Sequence, residues 1–332
     1  MTYHNNIKKI HFPFRELDDL DLLPCELVVA DHKGGFDKNF HNPILAKLNK
    51  YAFDHKFQFT IYTWEYYTPE IKALYTNLKF VMSMELFHAH NGLTKFIDYT
   101  QCKDLCFEKF LCTFNGANQP GRILLVSALT KLGMFDVDTC GKNFTIEAGQ
   151  VDGVIDVHVP NQHRFYRKFF IDTETDFNNL IVKFGSYGEW TDKFNWSNIH
   201  TATNDVIARC FVNLVSESAA TSYYPFVTEK FLLSVISRGL FVAYAQPGYH
   251  THLDNLYGFK PYAKLFDYSF DSITNPVDRL INLLSMLSKF QNLKTYDWHD
   301  LHQLEIDTIN YNYDHYFSGD YLKNIEKQLL WP

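Results

Sequence analysis

The sequence predicts an α/β protein of two units followed by a helical tail. Three observations carry that expectation. Short apolar runs alternate with helical stretches through the first third, and a second strand–turn–helix rhythm starts near Lys109. The stretch 210–247 then reads as a buried strand, a polar loop, a helix and another buried strand. At 332 residues the chain is long enough for two domains, and 46% hydrophobic residues suffice to build their cores.

The elements follow in order. Residues 27–30 (LVVA) form a short buried strand that ends in the flexible turn Asp31-His32-Lys33-Gly34-Gly35. A helix over 43–51, a strand over 57–62, a helical stretch over 69–78 and a strand over 80–84 complete the first unit, 1–107. The second unit, 108–290, opens with the strand 110–114 and the polar turn 115–119. Pro120 then starts an apolar-rich helix that stops near Gly133. Between 138 and 170 the alternating runs NFTIEAG and GVIDVHV predict β-hairpin insertions. An amphipathic helix over 276–290 puts Leu280, Ile281, Leu283, Leu284 and Leu287 on its apolar side. Residues 291–332 are expected to be polar helices that cross back to brace the first unit.

Composition removes several classes of function. A net charge of −7 argues against tight non-specific binding to nucleic acid, which requires a basic face. Six scattered cysteines do not make a disulfide framework in a chain of this size. The segment MTYHNNIKKIHFPF lacks the apolar core of a signal peptide, and no run approaches the ~18 apolar residues of a membrane span. The expectation is a reduced, cytoplasmic protein. The pairs His88/His90 and His250/His252 lack the carboxylate or cysteine partners of a metal site, and Cys102, Cys106 and Cys112 lack zinc spacing. No Gly-Lys-Ser/Thr follows the turn 31–35, so it is not a P-loop.

The chemistry concentrates after the strand that starts at Cys210. An apolar strand feeding a polar loop at a helix start is where α/β folds hold anions, because free N–H groups and the helix dipole both favour negative charge there. Thr228 is a plausible helix cap, Glu229 sits in the first turn, and Lys230 can meet a phosphate. The blander reading makes Glu229 a dipole complement and Lys230 a solvated lysine. On the sharper one, the ligand is a nucleotide or nucleotide-sugar.

The same segment resembles the donor-binding signature of the α-1,3-fucosyltransferase family: an apolar strand, Glu-Asn-Ser, a short loop, then Tyr-x-Thr-Glu-Lys and a helix. Glu217-Ser218 stands at the first position and Phe226-Val227-Thr228-Glu229-Lys230 at the second. Ser218 replaces the family's asparagine and Phe226 its tyrosine, which removes two polar contacts; Tyr223 and Tyr224 are candidates to restore a hydroxyl. Upstream, FLCTFNGANQPGRILLVSAL resembles the family's strand, Asn-rich turn (Asn115 here), arginine and helix, with Arg122 at the arginine used against the donor pyrophosphate. Taken alone, Arg122 could be a surface arginine on an amphipathic helix. The continuation beyond Gly248 is also similar to phage- and virus-type glycosyltransferase-like proteins with the same Thr-Glu-Lys motif. The likeness spans 108–270 and leaves the first third unmatched.

The resemblance implies a fold of the GT-B kind, two Rossmann-like domains facing each other across a cleft, with the acceptor side in 1–107 and the nucleotide-sugar in 108–290. It implies inverting transfer of a hexose, fucose among them, from a GDP- or UDP-linked donor to a hydroxyl on a glycan, with no resident cofactor or metal. Arg122 and Lys230 would neutralise the diphosphate, and Glu229 would accept from the ribose hydroxyls. The base would be a carboxylate of the first domain; Asp31, then Glu85 and Glu65, each lie just past a predicted strand end. Each could equally be a solvated loop acid. Two rivals stand beside this reading: a glycosyltransferase acting on modified bases of DNA, the one route by which nucleic acid enters, and a non-catalytic nucleotide-sugar-binding protein.

Overall fold

Strands in this protein pair in parallel, and the helices between them follow from that. A computed structural model describes residues 8–11, 27–30, 43–54, 56, 59–63, 73–82, 105–116, 118–142, 144–158, 176, 178–179, 196–217, 220–221, 227–228 and 230–323. In the amino-terminal unit β1 (Lys8–His11) pairs with β2 (Leu27–Ala30), and β3 (Phe59–Thr63) pairs with β4 (Leu78–Met82). Helix α1 (Pro43–Asp54) lies between β2 and β3 in the chain and buries Leu48 and Ala52, one turn apart on one face.

The central unit is a four-stranded parallel sheet in the order β6-β5-β7-β8. Its strands are β5 (Lys109–Asn115), β6 (Cys140–Lys142), β7 (Cys210–Ser216) and β8 (Leu240–Tyr244). Every residue of β7 and β8 is buried, as expected when helices cover both faces of a parallel sheet. Helix α2 (Pro120–Lys131) starts on its proline and is followed by Gly133, whose φ of +65° a side chain would resist. Residues 121–129 are all buried, so α2 is the apolar-rich helix expected, set in the interior, and not the amphipathic helix of the blander reading of Arg122.

One expectation is corrected here. The predicted hairpins of 138–170 do not form over the described part of that stretch. Residues 140–142 are β6, paired in parallel with β5, and α3 (Gln150–His158) is a helix. The run Ile155-Asp156-Val157 mimics strand alternation, but the helix turns Val151 and Ile155 inward and leaves Val157 75% exposed. The tail carries two helices over its described residues. Helices α8 (Thr295–Leu304) and α9 (Ile306–Ser318) pack on the central unit. Trp298 stacks on Phe211 of β7 (centroids 6.0 Å apart, planes 12° apart), and its indole N–H donates to the Phe290 carbonyl. The Asn312 amide accepts from Lys260 N and donates to Lys260 O, and the buried Glu305 carboxylate accepts from the N–H groups of Lys264 and Leu265.

The other helices place loops at the sheet's carboxyl edge. Helix α4 (Trp196–Arg209) leads into β7, and the short α5 (Lys230–Ile236) links the loop after β7 to β8. After β8, α6 (Tyr249–His252) continues into a wide turn of π geometry over Leu253–Tyr257. Helix α7 (Pro276–Gln291) is capped by the Asn275 side chain, which accepts from Val277 N and Asp278 N. It buries Leu280, Leu283, Leu284 and Leu287 as predicted, with Ile281 half-buried. The result is a mixed α/β protein. Among the described residues no helix is long and apolar enough to cross a membrane.

Candidate functional site

The sheet order reverses the direction of its connections between β5 and β7. From β5 the chain passes through α2 to β6 on one side; later it enters β7 on the other side and passes through α5 to β8. The connections leaving β5 and β7 therefore diverge, and the carboxyl ends of these two strands form a topological switch point, where open α/β sheets bind ligands. Asn115 is the last residue of β5 and Ser216 the last of β7.

Five residues singled out from sequence meet here. Arg122, in the first turn of α2, is 6% exposed and donates through Nη2 to the Ser216 carbonyl at 3.4 Å. That disposes of a surface arginine. Asn115 is fully buried; its Nδ2 donates to Gly141 O of β6 at 3.3 Å. Lys230 donates to the Thr228 hydroxyl at 2.8 Å, and its ammonium lies 3.8 Å from Glu217 Oε2. The two cations thus flank consecutive residues, Ser216 and Glu217. Thr228 does not spend its hydroxyl on capping α5: it donates to the Glu217 carboxylate, 2.8 Å from Oε2 and 2.9 Å from Oε1. Because Lys230 fills the acceptor side of that hydroxyl, the hydrogen must point to the carboxylate.

Glu217 is fully buried, and its oxygens are occupied within the protein. Oε1 also accepts from Thr228 N at 3.2 Å and from the Tyr249 hydroxyl at 2.9 Å. Its place is that of an anchor that ties the loop after β7 to α6 and neutralises Lys230 from below. Three polar atoms at the same edge have no hydrogen-bond partner among the described residues: Asn115 Oδ1, Gln119 Oε1 and Ser216 Oγ. Buried polar groups are rarely left so, and a bound polar ligand or ordered water would satisfy them. Asp31, Glu65, Glu85, Ser218, Tyr224, Phe226 and Glu229 lie outside the described residues.

Neighbouring histidines have structural work. His250 Nε2 accepts from Ala243 N at 3.0 Å, so Nδ1 carries the proton and donates to Asp271 Oδ1 at 2.9 Å. Burial alone would raise the Asp271 carboxyl, but the His250 bonds hold it below its ordinary value. Burial pushes His252 down to about 4, against the pull of Asp271, and keeps it neutral. Cys112, Cys140 and Cys210 are buried, and burial raises the Cys140 thiol to about 12. Among the described residues no group of three or more His, Cys, Asp or Glu side chains is arranged to hold a metal ion.

Sequence reasoning missed Gln119, Ser216, Tyr249 and Arg279. Arg279 is the most buried of the arginines near the site, 1% exposed, and donates to the carbonyls of Ala220 (2.6 Å), Ala245 (2.8 Å), Ile273 and Thr274 (3.1 Å). A signal for it existed. Arg279 lies in line with Leu283 and Leu287 at i, i+4 and i+8 on the apolar side of α7, an odd place for a charge. No family model, curated protein or solved structure matches this chain.

Proposed function

We propose that the chain is an inverting glycosyltransferase that takes the diphosphate of a nucleoside-diphosphate sugar at the β5/β7 crevice, in a two-domain arrangement of the GT-B kind. One observation carries the reading: a buried arginine and a partly buried lysine, contributed by separate βα connections, flank the last residues of β7 at a topological switch point. The likeness of both segments to the fucosyltransferase donor signature supports the same assignment. An arginine fork and an ammonium at one switch point suit two linked phosphates.

In the reaction, the acceptor hydroxyl attacks the anomeric carbon while the bond from that carbon to the diphosphate oxygen breaks. Charge grows on the leaving diphosphate, and Arg122 and Lys230 stabilise it. The proton of the hydroxyl passes to a carboxylate of the amino-terminal unit, with Asp31 first, then Glu85 and Glu65, as candidates. Glu217 and Thr228 act through Lys230 by holding its ammonium in place. Glu229 takes the ribose hydroxyls, and Ser218, Tyr224 and Phe226 line the donor loop.

A thermal-shift panel of UDP, GDP, CMP, dTDP and ADP tests the donor site. One diphosphate is expected to raise the melting temperature of the wild type; at ~100 times its dissociation constant the gain is ~2.7 kcal/mol. Lys230→Ala or Arg122→Ala should remove the rise. A flat panel on the wild type overturns the reading. Binding without hydrolysis or transfer of any donor sugar would leave a binding protein in place of an enzyme.

A further inference from the structure

We propose that Arg279 is a positioning residue of this crevice: it holds Ala220 against Gly121 and so sets the guanidinium of Arg122 on the mouth of the site. The proposal rests on reading the crevice as a diphosphate site. Arg279 Nη2 grips the Ala220 carbonyl at 2.6 Å. Ala220 in turn packs on the first turn of α2 so closely that a Cβ at Gly121 would lie 2.7 Å from the Ala220 Cβ. Arg122 is the next residue, and its Nη2 reaches back to Ser216 O, four residues before Ala220. The contacts close a ring that joins α7, the loop after β7 and the start of α2.

The other donors of Arg279 fix the rest of the edge. Nε holds Ala245 O just after β8, and Nη1 holds the carbonyls of Ile273 and Thr274. Only a planar fork with several N–H groups spans these loops; a lysine keeps the charge but not the reach. Arg279 spends these N–H groups on carbonyls, and burial depresses the charged form against the weaker pull of Tyr244 and Asp271. Such an arrangement is costly to keep for packing alone, because a leucine would continue the apolar stripe of α7.

The test is calorimetric titration with inorganic pyrophosphate on the full chain, well below the melting temperature. Arg279→Lys and Arg279→Gln should each weaken binding ten-fold or more, although the lysine keeps the charge. Combined with Arg122→Gln, either variant should bind no worse than Arg122→Gln alone, because one acts through the other. Wild-type affinity in folded Arg279→Lys, or losses that add to those of Arg122→Gln, would overturn the proposal while the diphosphate site stands. If the Arg279 variants do not fold, Gly121→Ala probes the same contact from the α2 side: a ten-fold loss supports the relay and unchanged affinity overturns it. A wild type that binds no pyrophosphate sinks the site and the positioning role together.

Discussion

Glu217→Ala removes the centre of the most connected polar cluster at the crevice. It strands the Thr228 N–H, the Thr228 and Tyr249 hydroxyls, and the counter-charge of Lys230, all of which now address one fully buried carboxylate. Removing one member of a buried charged pair costs about 3–5 kcal/mol. A cooperative unit of roughly 200 residues unfolds with an entropy near 0.4 kcal/mol/K, so the melting temperature should fall by about 7–12 °C. Tyr249→Phe deletes a single donor and should cost about 1 kcal/mol, or about 2–3 °C. Glu217→Gln keeps an acceptor but not the charge and should fall between them. Circular dichroism melts of the three variants read the series. A Glu217→Ala protein melting within about 1 °C of wild type would refute the anchoring role.

Three further outcomes follow from features of the central unit. His252 is neutral when folded down to about pH 4, whereas in the unfolded chain it takes up a proton near 6.5. The unfolded state therefore binds more protons between those values, and stability should fall by at most about 3 kcal/mol as pH drops through that window. His302, lowered by burial, adds in the same direction, and Asp271 titrates below the window. Urea midpoints at several pH values should show the slope, reduced in His252→Gln. Gly258 has φ +80° and a Cβ there would meet His315 Nε2 at 2.8 Å, so Gly258→Ala should lose about 1–3 kcal/mol in the same titration. Trp298→Ala should cost about 3–5 kcal/mol, read as a melt of the central unit, because the indole fills the space between Phe211 and the end of α7.

Strands were legible where a short apolar run is bounded by turn residues: 27–30 and 110–114 appear as β2 and β5 within two residues or so, and the second buried strand of 210–247 appears as β8. Pro120 and Pro276 marked helix starts for a local reason, their fixed φ and missing donor. Alternation failed at Ile155 and Val157, since period two and a helical turn coincide over so few residues. Helix α4 had no counterpart in the sequence reading; WSNIHTATNDVIAR becomes helical against β7. At the site, Thr228 and Lys230 stood out at a predicted helix start, and Arg122 only through the family resemblance. The internal duty of Glu217 was not, because Tyr249 lies 32 residues away and only the fold brings its hydroxyl back. Arg279 hid inside an apolar pattern for the same reason, with its Ala220 partner 59 residues distant.

The neighbours β5 and β7 lie side by side, yet 94 residues separate Arg122 from the carbonyl it touches. At ordinary rates of translation, about 5–20 residues per second, a ribosome takes about 5–20 s to make that stretch. Meanwhile one edge of the nascent β5 can be covered only by a segment still to be synthesised. Yield in a host cell should therefore respond to slower growth or to extra chaperone capacity, which shelter the half-made sheet until its second central strand emerges.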